Sequence, residues 1–340
     1  MSAFKDNLLD FLKNNNLLSY KYYKKQLNKK DQNIYDNMYQ GLISFSKEIV
    51  LPNSSSKNFF DIYDNLEDDN PLIFFVKTIS GTDSKIYPEY RFNAKQTIEI
   101  ISEILVKFKP FTDTLKNMSD VQKEQKIHDY FCSNIIYDDK CYEFHKQGIY
   151  NRIKSSSQCV GPLLYGKGLC IGIAKAVKLL LDIVRVKSIV VKSDSHAWNI
   201  VYIDGIPYHL DVTFDICNST SNMIRYDYFN LSDEDISVDH ELLNSKAPHC
   251  NVSNDYYINN GMFMRRQEDF RKYLRKSLES GKYDIAFKLP IVANIENAKR
   301  HIFNIVDEIA RDFYSSWQSH LCWNDKLCIF HLHITGNFRR

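Results

Sequence analysis

Two stretches of this chain hold residues whose types and spacing could do chemistry. The first is Gly168-Leu169-Cys170-Ile171-Gly172, a cysteine between glycines. The second is HAWNIVYIDGIPYHLDVTFD (196–215), which carries two histidines and three aspartates. Upstream of Cys170, Gly161, Pro162, Gly166 and Gly168 oppose helix and read as a loop. Downstream, Ile173, Ala174, Val177, Leu180, Leu181 and Val184 follow the spacing that buries one side of a helix. Cys170 is therefore expected in the first turn of that helix. Backbone N–H groups there lack carbonyl partners, and the helix dipole favours thiolate over thiol. The same N–H groups can donate to an oxyanion. By position alone, a small buried cysteine beside glycines competes evenly with a nucleophile.

In the second stretch, Asp204-Gly205 between two alternating runs predicts a tight type I′ hairpin. Extended along both strands, that register sets Trp198 opposite Asp211 and His196 opposite Thr213. His196 and Asp211 are then diagonal neighbours on one face, within reach of a hydrogen bond. Pro207 falls opposite Tyr202 in a non-hydrogen-bonded pair, where its missing N–H costs nothing. A carboxylate on one imidazole nitrogen fixes the tautomer and leaves the other nitrogen to exchange a proton with a nucleophile. That arrangement is what a Cys-His-Asp acyl-transfer site needs. His209 and Asp215 share the same face, so hairpin geometry does not rank one histidine above the other.

GKGLCIGIAKAVKLLLD, HAWNIV and YHLDVTFD, in that order, resemble the transglutaminase-like superfamily of papain-like thiol enzymes. DNPLIFFV (69–76), IHDYFCSNIIYDD (127–139) and RYDYFNLSDEDISVDH (225–240) extend the resemblance to roughly 69–240. It implies an α+β, papain-like core: a helix bearing Cys170 packed on an antiparallel sheet that carries His196 and Asp211, with α/β flanking regions. It implies Cys170 as nucleophile, His196 as general base then acid, and Asp211 as the group that orients the imidazole. The expected reaction is hydrolysis of an amide in a protein or peptide through a thioester acyl-enzyme. Transfer of the acyl group to an amine or deamidation of glutamine, as well as a catalytically silent scaffold, stay open. No cofactor or metal is implied, and no EF-hand calcium loop occurs. Gln158 is a candidate second oxyanion donor, although its distance from Cys170 exceeds the usual interval. Trp198 is expected to pack over the triad, and Lys167 to be a solvated lysine.

The elements that position these residues follow from the rest of the chain. Helical spacing runs through residues 1 to about 50, AKQTIEIISEILVKF and VQKEQKIHDYFCSNIIY; PLIFFVKT and KIYPEYRF read as strands. Three regions are expected: a helical/α+β region over 1–115, the catalytic core over 116–250, and a small α/β region over 251–340. Ser232 with Asp235 predicts a helix cap, and Asp239-His240 reads as a surface pair. His331, His333, Cys322, Cys328 and His320 fit no usual zinc spacing. The chain has 44 basic and 42 acidic residues, so no net field steers it toward nucleic acid or anionic lipid. No apolar run reaches a membrane span, and the charged N-terminus lacks the pattern of a secretory signal. A cytoplasmic location, with the eight cysteines reduced, is the resulting expectation.

Overall fold

The computed structural model describes residues 7–52, 58–149, 155–219, 223–242 and 246–339. Helices and antiparallel sheets alternate along it, an α+β arrangement. At its centre lies a four-stranded antiparallel sheet of Ser188–Lys192, Ala197–Ile203, Ile206–Leu210 and Phe229–Leu231, in chain order. The Asp204-Gly205 turn has positive φ at both residues, the backbone of a type I′ turn, and sets the expected register, with Asn199 opposite Leu210 and Tyr202 opposite Pro207.

Alternation along these strands buries both faces of the sheet. Val201, Ile203, Tyr208 and Leu210 pack with Ile173, Ala176, Val177 and Leu180 of the helix Cys170–Ile183. Ile189, Val191, Trp198, Ile200 and Leu231 pack on the opposite side with Tyr23, Ile236 and Tyr257. The first of these cores continues through Ile101, Ile104, Phe108, Leu115 and Ile127, on both sides of position 115. A further core, Met264 to Ile334, joins helices Gln267–Glu279 and Ile295–Phe313 to a three-stranded antiparallel sheet.

Four local readings of the sequence change. Val160–Tyr165 is a short helix rather than loop; Pro162 sits in its first turn, where no N–H is needed, and Gly166 ends it in the left-handed conformation. Pro71–Ile73 forms a 3-10 turn opened by its proline, and the strand starts only at Val76. Tyr314–Asn324 is a strand the sequence reading missed, hidden by a helical pattern that runs into it from Ile295. The hairpin strand stops at Leu210, and Val212–Asn218 is a helix. No helix is long and apolar enough to cross a membrane among the described residues.

Candidate active site

Cys170 is the first residue of the helix Cys170–Ile183, half-buried, and Leu169 before it makes no side-chain cap. The first-turn N–H groups of this helix thus receive no capping side chain. A strap over 155–159 holds this end of the helix. Leu169 N–H donates to the Ser156 carbonyl at 2.8 Å, and Ser156 Oγ donates to Asp138 Oδ2 at 2.5 Å. Gly172 permits the strap to lie close, since a Cβ there would come 2.1 Å from the Ser156 carbonyl oxygen.

His196 stands immediately before the strand Ala197–Ile203, in a turn closed by Ser193 N–H donating to the His196 carbonyl at 2.9 Å. Asn199 ties that strand to the cysteine helix: its Nδ2 donates to the Ala174 carbonyl at 3.0 Å and to the Ile189 carbonyl at 3.2 Å. His196 Nε2–H donates to Asp211 Oδ2 at 2.6 Å, which leaves Nδ1 as the nitrogen that can exchange a proton. Burial alone would lower the His196 pKa. The Asp211 charge and hydrogen bonds to Asp211 and the Cys170 thiol outweigh it and raise the pKa to about 10. Trp198 stacks on the His196 ring at 5.8 Å between centroids, and Phe214 packs beside it at 4.7 Å.

Asp211 does not lie in a strand opposite Trp198, as the extended hairpin predicted; it caps the helix Val212–Asn218. Its Oδ1 accepts from Thr213 N–H at 2.9 Å and Phe214 N–H at 3.2 Å. An aspartate followed by N–H groups that need acceptors is a strong helix start, and this overrides the hairpin pattern. Oδ2 is left for the imidazole. Burial pushes the Asp211 carboxyl up, but His196 and His240 hold it well below the usual carboxylate range.

The other histidine of the hairpin is committed elsewhere. Trp198 Nε1–H donates to His209 Nδ1 at 3.0 Å, so Nε2 carries the hydrogen and donates to Asp233 Oδ1 at 2.8 Å. Asp215 bonds His128 Nε2 at 3.0 Å and accepts from the Asp227 N–H at 2.9 Å. His209 and Asp215 therefore do not pair.

Asp239 and His240 do pair and Asp239 is exposed, but His240 is not at the surface as expected. The His240 side chain is 1 % exposed, its Nε2 2.9 Å from Asp211 Oδ2 and its Nδ1 2.6 Å from Asp239 Oδ1. Gln158 is buried at the edge of another cleft, of about 530 Å³, with Arg91 and Tyr165. Lys167 is more than half exposed and lies 3.6 Å from Asp138. His331 meets the Tyr257 hydroxyl at 3.0 Å and His333 meets Asp284 at 2.6 Å, so these two imidazoles serve separate partners.

Two groups bring ligand-type atoms within 4.8 Å of one another: His196, Asp211 and His240, and His209, Asp233 and Cys250. A metal ion needs lone pairs. In the first group both Nε2 atoms donate to Asp211, and in the second the Trp198 bond keeps hydrogen on His209 Nε2. Neither group fits a resident ion in this protonation pattern.

A cleft of about 1120 Å³ is lined by Tyr137, Asp139, Ile216, Cys217, Tyr226 and Asp284 among others, but by none of Cys170, His196 and Asp211. Tyr137 pairs with Gly168, two residues before Cys170, so one wall of the cleft is joined directly to the thiol's own segment. Burial, with the charge of Asp211, pushes the nearby Cys217 thiol up to about 11, and burial takes Cys159 to about 12. Those thiols are poor nucleophiles near neutral pH.

No protein-family model matches this chain, and no curated protein does. Among solved structures, one that is similar in part can be described. It is a crystal structure described as "a TGase", 13% identical, with a TM-score of 0.31 and 68% of this chain covered. The present chain spans 63% of that structure's chain.

Proposed function

We propose that this protein is a thiol acyl-transfer enzyme with a papain-like, transglutaminase-like core, and that it hydrolyses amide bonds in a protein or peptide. The observation that carries the reading is the pairing of His196 Nε2 with Asp211 Oδ2 at 2.6 Å, at the head of a strand that Asn199 ties to the helix opened by Cys170. An imidazole backed by a buried carboxylate is the proton-exchanging partner that a cysteine nucleophile at a helix N-terminus needs. The order of the Cys, His and Asp motifs resembles that of the transglutaminase-like superfamily and supports the same roles.

In this scheme the Cys170 thiolate attacks the carbonyl carbon, and the C=O electron pair moves to oxygen. First-turn N–H groups, that of Cys170 included, stabilise the oxyanion. The His196 imidazolium then gives its Nδ1 proton to the leaving nitrogen as the C–N bond breaks, leaving a thioester. Neutral His196 takes a proton from water, hydroxide attacks the thioester, and the thiolate departs with the imidazolium restored.

The test is incubation with a mixed peptide digest in ¹⁸O-labelled water, read by mass spectrometry, with a labelled primary amine in a parallel sample. New carboxylates carrying ¹⁸O, lost in Cys170→Ala, are the expected result. Amine incorporation in place of ¹⁸O overturns the hydrolytic reading in favour of a transferase. Equal product from wild type and Cys170→Ala removes Cys170 from the chemistry.

A further inference from the structure

His240 touches no part of the Cys170–His196 pair through a hydrogen bond, yet it shares the carboxylate oxygen that pair depends on. Both of its ring nitrogens face carboxylates, Asp211 Oδ2 at 2.9 Å and Asp239 Oδ1 at 2.6 Å. Ionised carboxylates only accept, and a neutral imidazole donates from one nitrogen alone. Both bonds are made only if the ring carries two hydrogens and a positive charge. We propose that His240 is a positioning residue, an imidazolium that divides the charge of Asp211 with His196 and thereby sets how readily His196 gives up its proton. The proposal rests on the reading of Cys170 and His196 given above.

The surroundings hold the cation in place. The ring packs against Trp198 at 5.1 Å, Phe214 at 4.6 Å, Tyr228 at 5.4 Å and His196 at 5.4 Å between centroids. Asp239 is fixed in turn by the Tyr228 hydroxyl, which donates to Oδ2 at 2.5 Å. Tyr228 accepts from Asn324 Nδ2 at 3.1 Å, and Asn324 also donates to Asp227 Oδ2 at 3.3 Å. Asn324 ends the strand Tyr314–Asn324, so the relay links the C-terminal sheet to the candidate triad. The titratable groups facing His240 are thus Asp211, Asp239, His196 and Tyr228, with neutral His209 acting on it through space. Burial lowers the His240 pKa, and the two carboxylates more than reverse this.

The consequence is chemical. Asp211 with His196 as its sole cationic partner would hold the imidazolium proton tightly and make His196 a weak acid toward the leaving nitrogen. A second cation 2.9 Å from the same oxygen weakens that hold. His196 and His240 then titrate as a pair through one carboxylate.

The experiment is ¹⁵N-histidine NMR on the full chain. In wild type at pH 8, His240 should show two protonated ring nitrogens; a single protonated nitrogen overturns the proposal without any variant. In His240→Gln, the neutral fraction of His196 at pH 9.5 should fall about tenfold, as its pKa rises by about one unit. Asp239→Asn leaves the Asp211 bond in place while discharging His240, and should move His196 the same way by a smaller amount. It decides the matter if His240→Gln does not fold. An unmoved or lowered His196 titration in a folded variant refutes the role. Alkylation of Cys170 in wild type, measured alongside, separates this from failure of the underlying reading: a reactive thiol with an unmoved His196 rejects only His240, and an unreactive thiol rejects both.

Discussion

Replacing Asp211 by asparagine keeps the shape of the site and removes its charge. Asparagine caps helices as well as aspartate, so the bonds from Thr213 and Phe214 N–H survive at a cost of a few tenths of a kcal/mol. The bonds from His196 and His240 do not, because an amide cannot present its oxygen to the helix and to both imidazoles together. Breaking a buried ion pair from one side costs about 3–5 kcal/mol. At about 2 °C per kcal/mol for a large domain, the melting temperature should drop by about 6–10 °C near pH 6. The sign of the pH dependence follows from the shifts. His196 and His240 are raised on folding, so their contribution is complete below about pH 6.5, the unfolded value, and for His196 is lost as pH rises through about 10. Asp211 is lowered, so its contribution is present above about pH 4 and disappears in acid. The gap between wild type and variant should therefore be widest between about pH 4 and 6.5 and close toward pH 10. Thermal melts across that range, with Cys170 alkylation rates on the same samples, provide the assay. A constant gap from pH 5 to 10, with unchanged alkylation, would show Asp211 to be a helix cap and nothing more.

Gly172→Ala should push the 155–159 strap off the cysteine helix, because its Cβ meets the Ser156 carbonyl oxygen at 2.1 Å. A stability loss of about 1–3 kcal/mol is expected by urea titration, with Cys170 reactivity falling in the molecules that stay folded. Asn199→Leu removes the two side-chain bonds that Asn199 makes, to the Ala174 carbonyl of the cysteine helix and the Ile189 carbonyl of the neighbouring strand. It should cost about 1–3 kcal/mol in denaturant and lower turnover beyond what the unfolded fraction explains. Trp198→Phe keeps the stack on His196 but strips the donor from His209 Nδ1. Here the expectation is the loss of about 0.5–1.5 kcal/mol and a shifted His209 Nδ1 signal by NMR, with Asp233 still holding the hydrogen on Nε2.

The cysteine helix and the hairpin were legible because each rests on local signals. Period-3.6 apolar spacing ends at a glycine-rich segment, and Asp-Gly fixes a two-residue turn that carries the register through Asn199–Leu210. The same signals misjudged what lay one residue further. Asp211 reads equally as a strand residue or a helix cap, and only the unpaired N–H groups after it decide for the cap. The distances between His196, Asp211 and His240 span 15 and 29 residues of chain, separations that no periodicity encodes. Asp239-His240 was visible as a dyad, but the fold of the segment after Ser232 buries the His240 ring against Trp198 and Phe214 while Asp239 stays exposed. The strand Tyr314–Asn324 escaped because polar and aromatic residues alternate irregularly along it, with Leu321 its main core residue after Tyr314.

The central claim is that Cys170 is the reactive thiol of this chain and that its reactivity depends on His196. Its most direct measurement is the rate of iodoacetamide modification at each cysteine, by peptide mass spectrometry, between pH 5 and 9. Cys170 should react far faster than the other seven cysteines at pH 6.5, where Cys217 and Cys159 stay protonated. In His196→Ala that advantage should vanish and the remaining reactivity should rise only toward the pKa of an ordinary thiol, about 8.5. Uniform labelling of wild type, or a Cys170 rate unchanged by His196→Ala, would contradict the account.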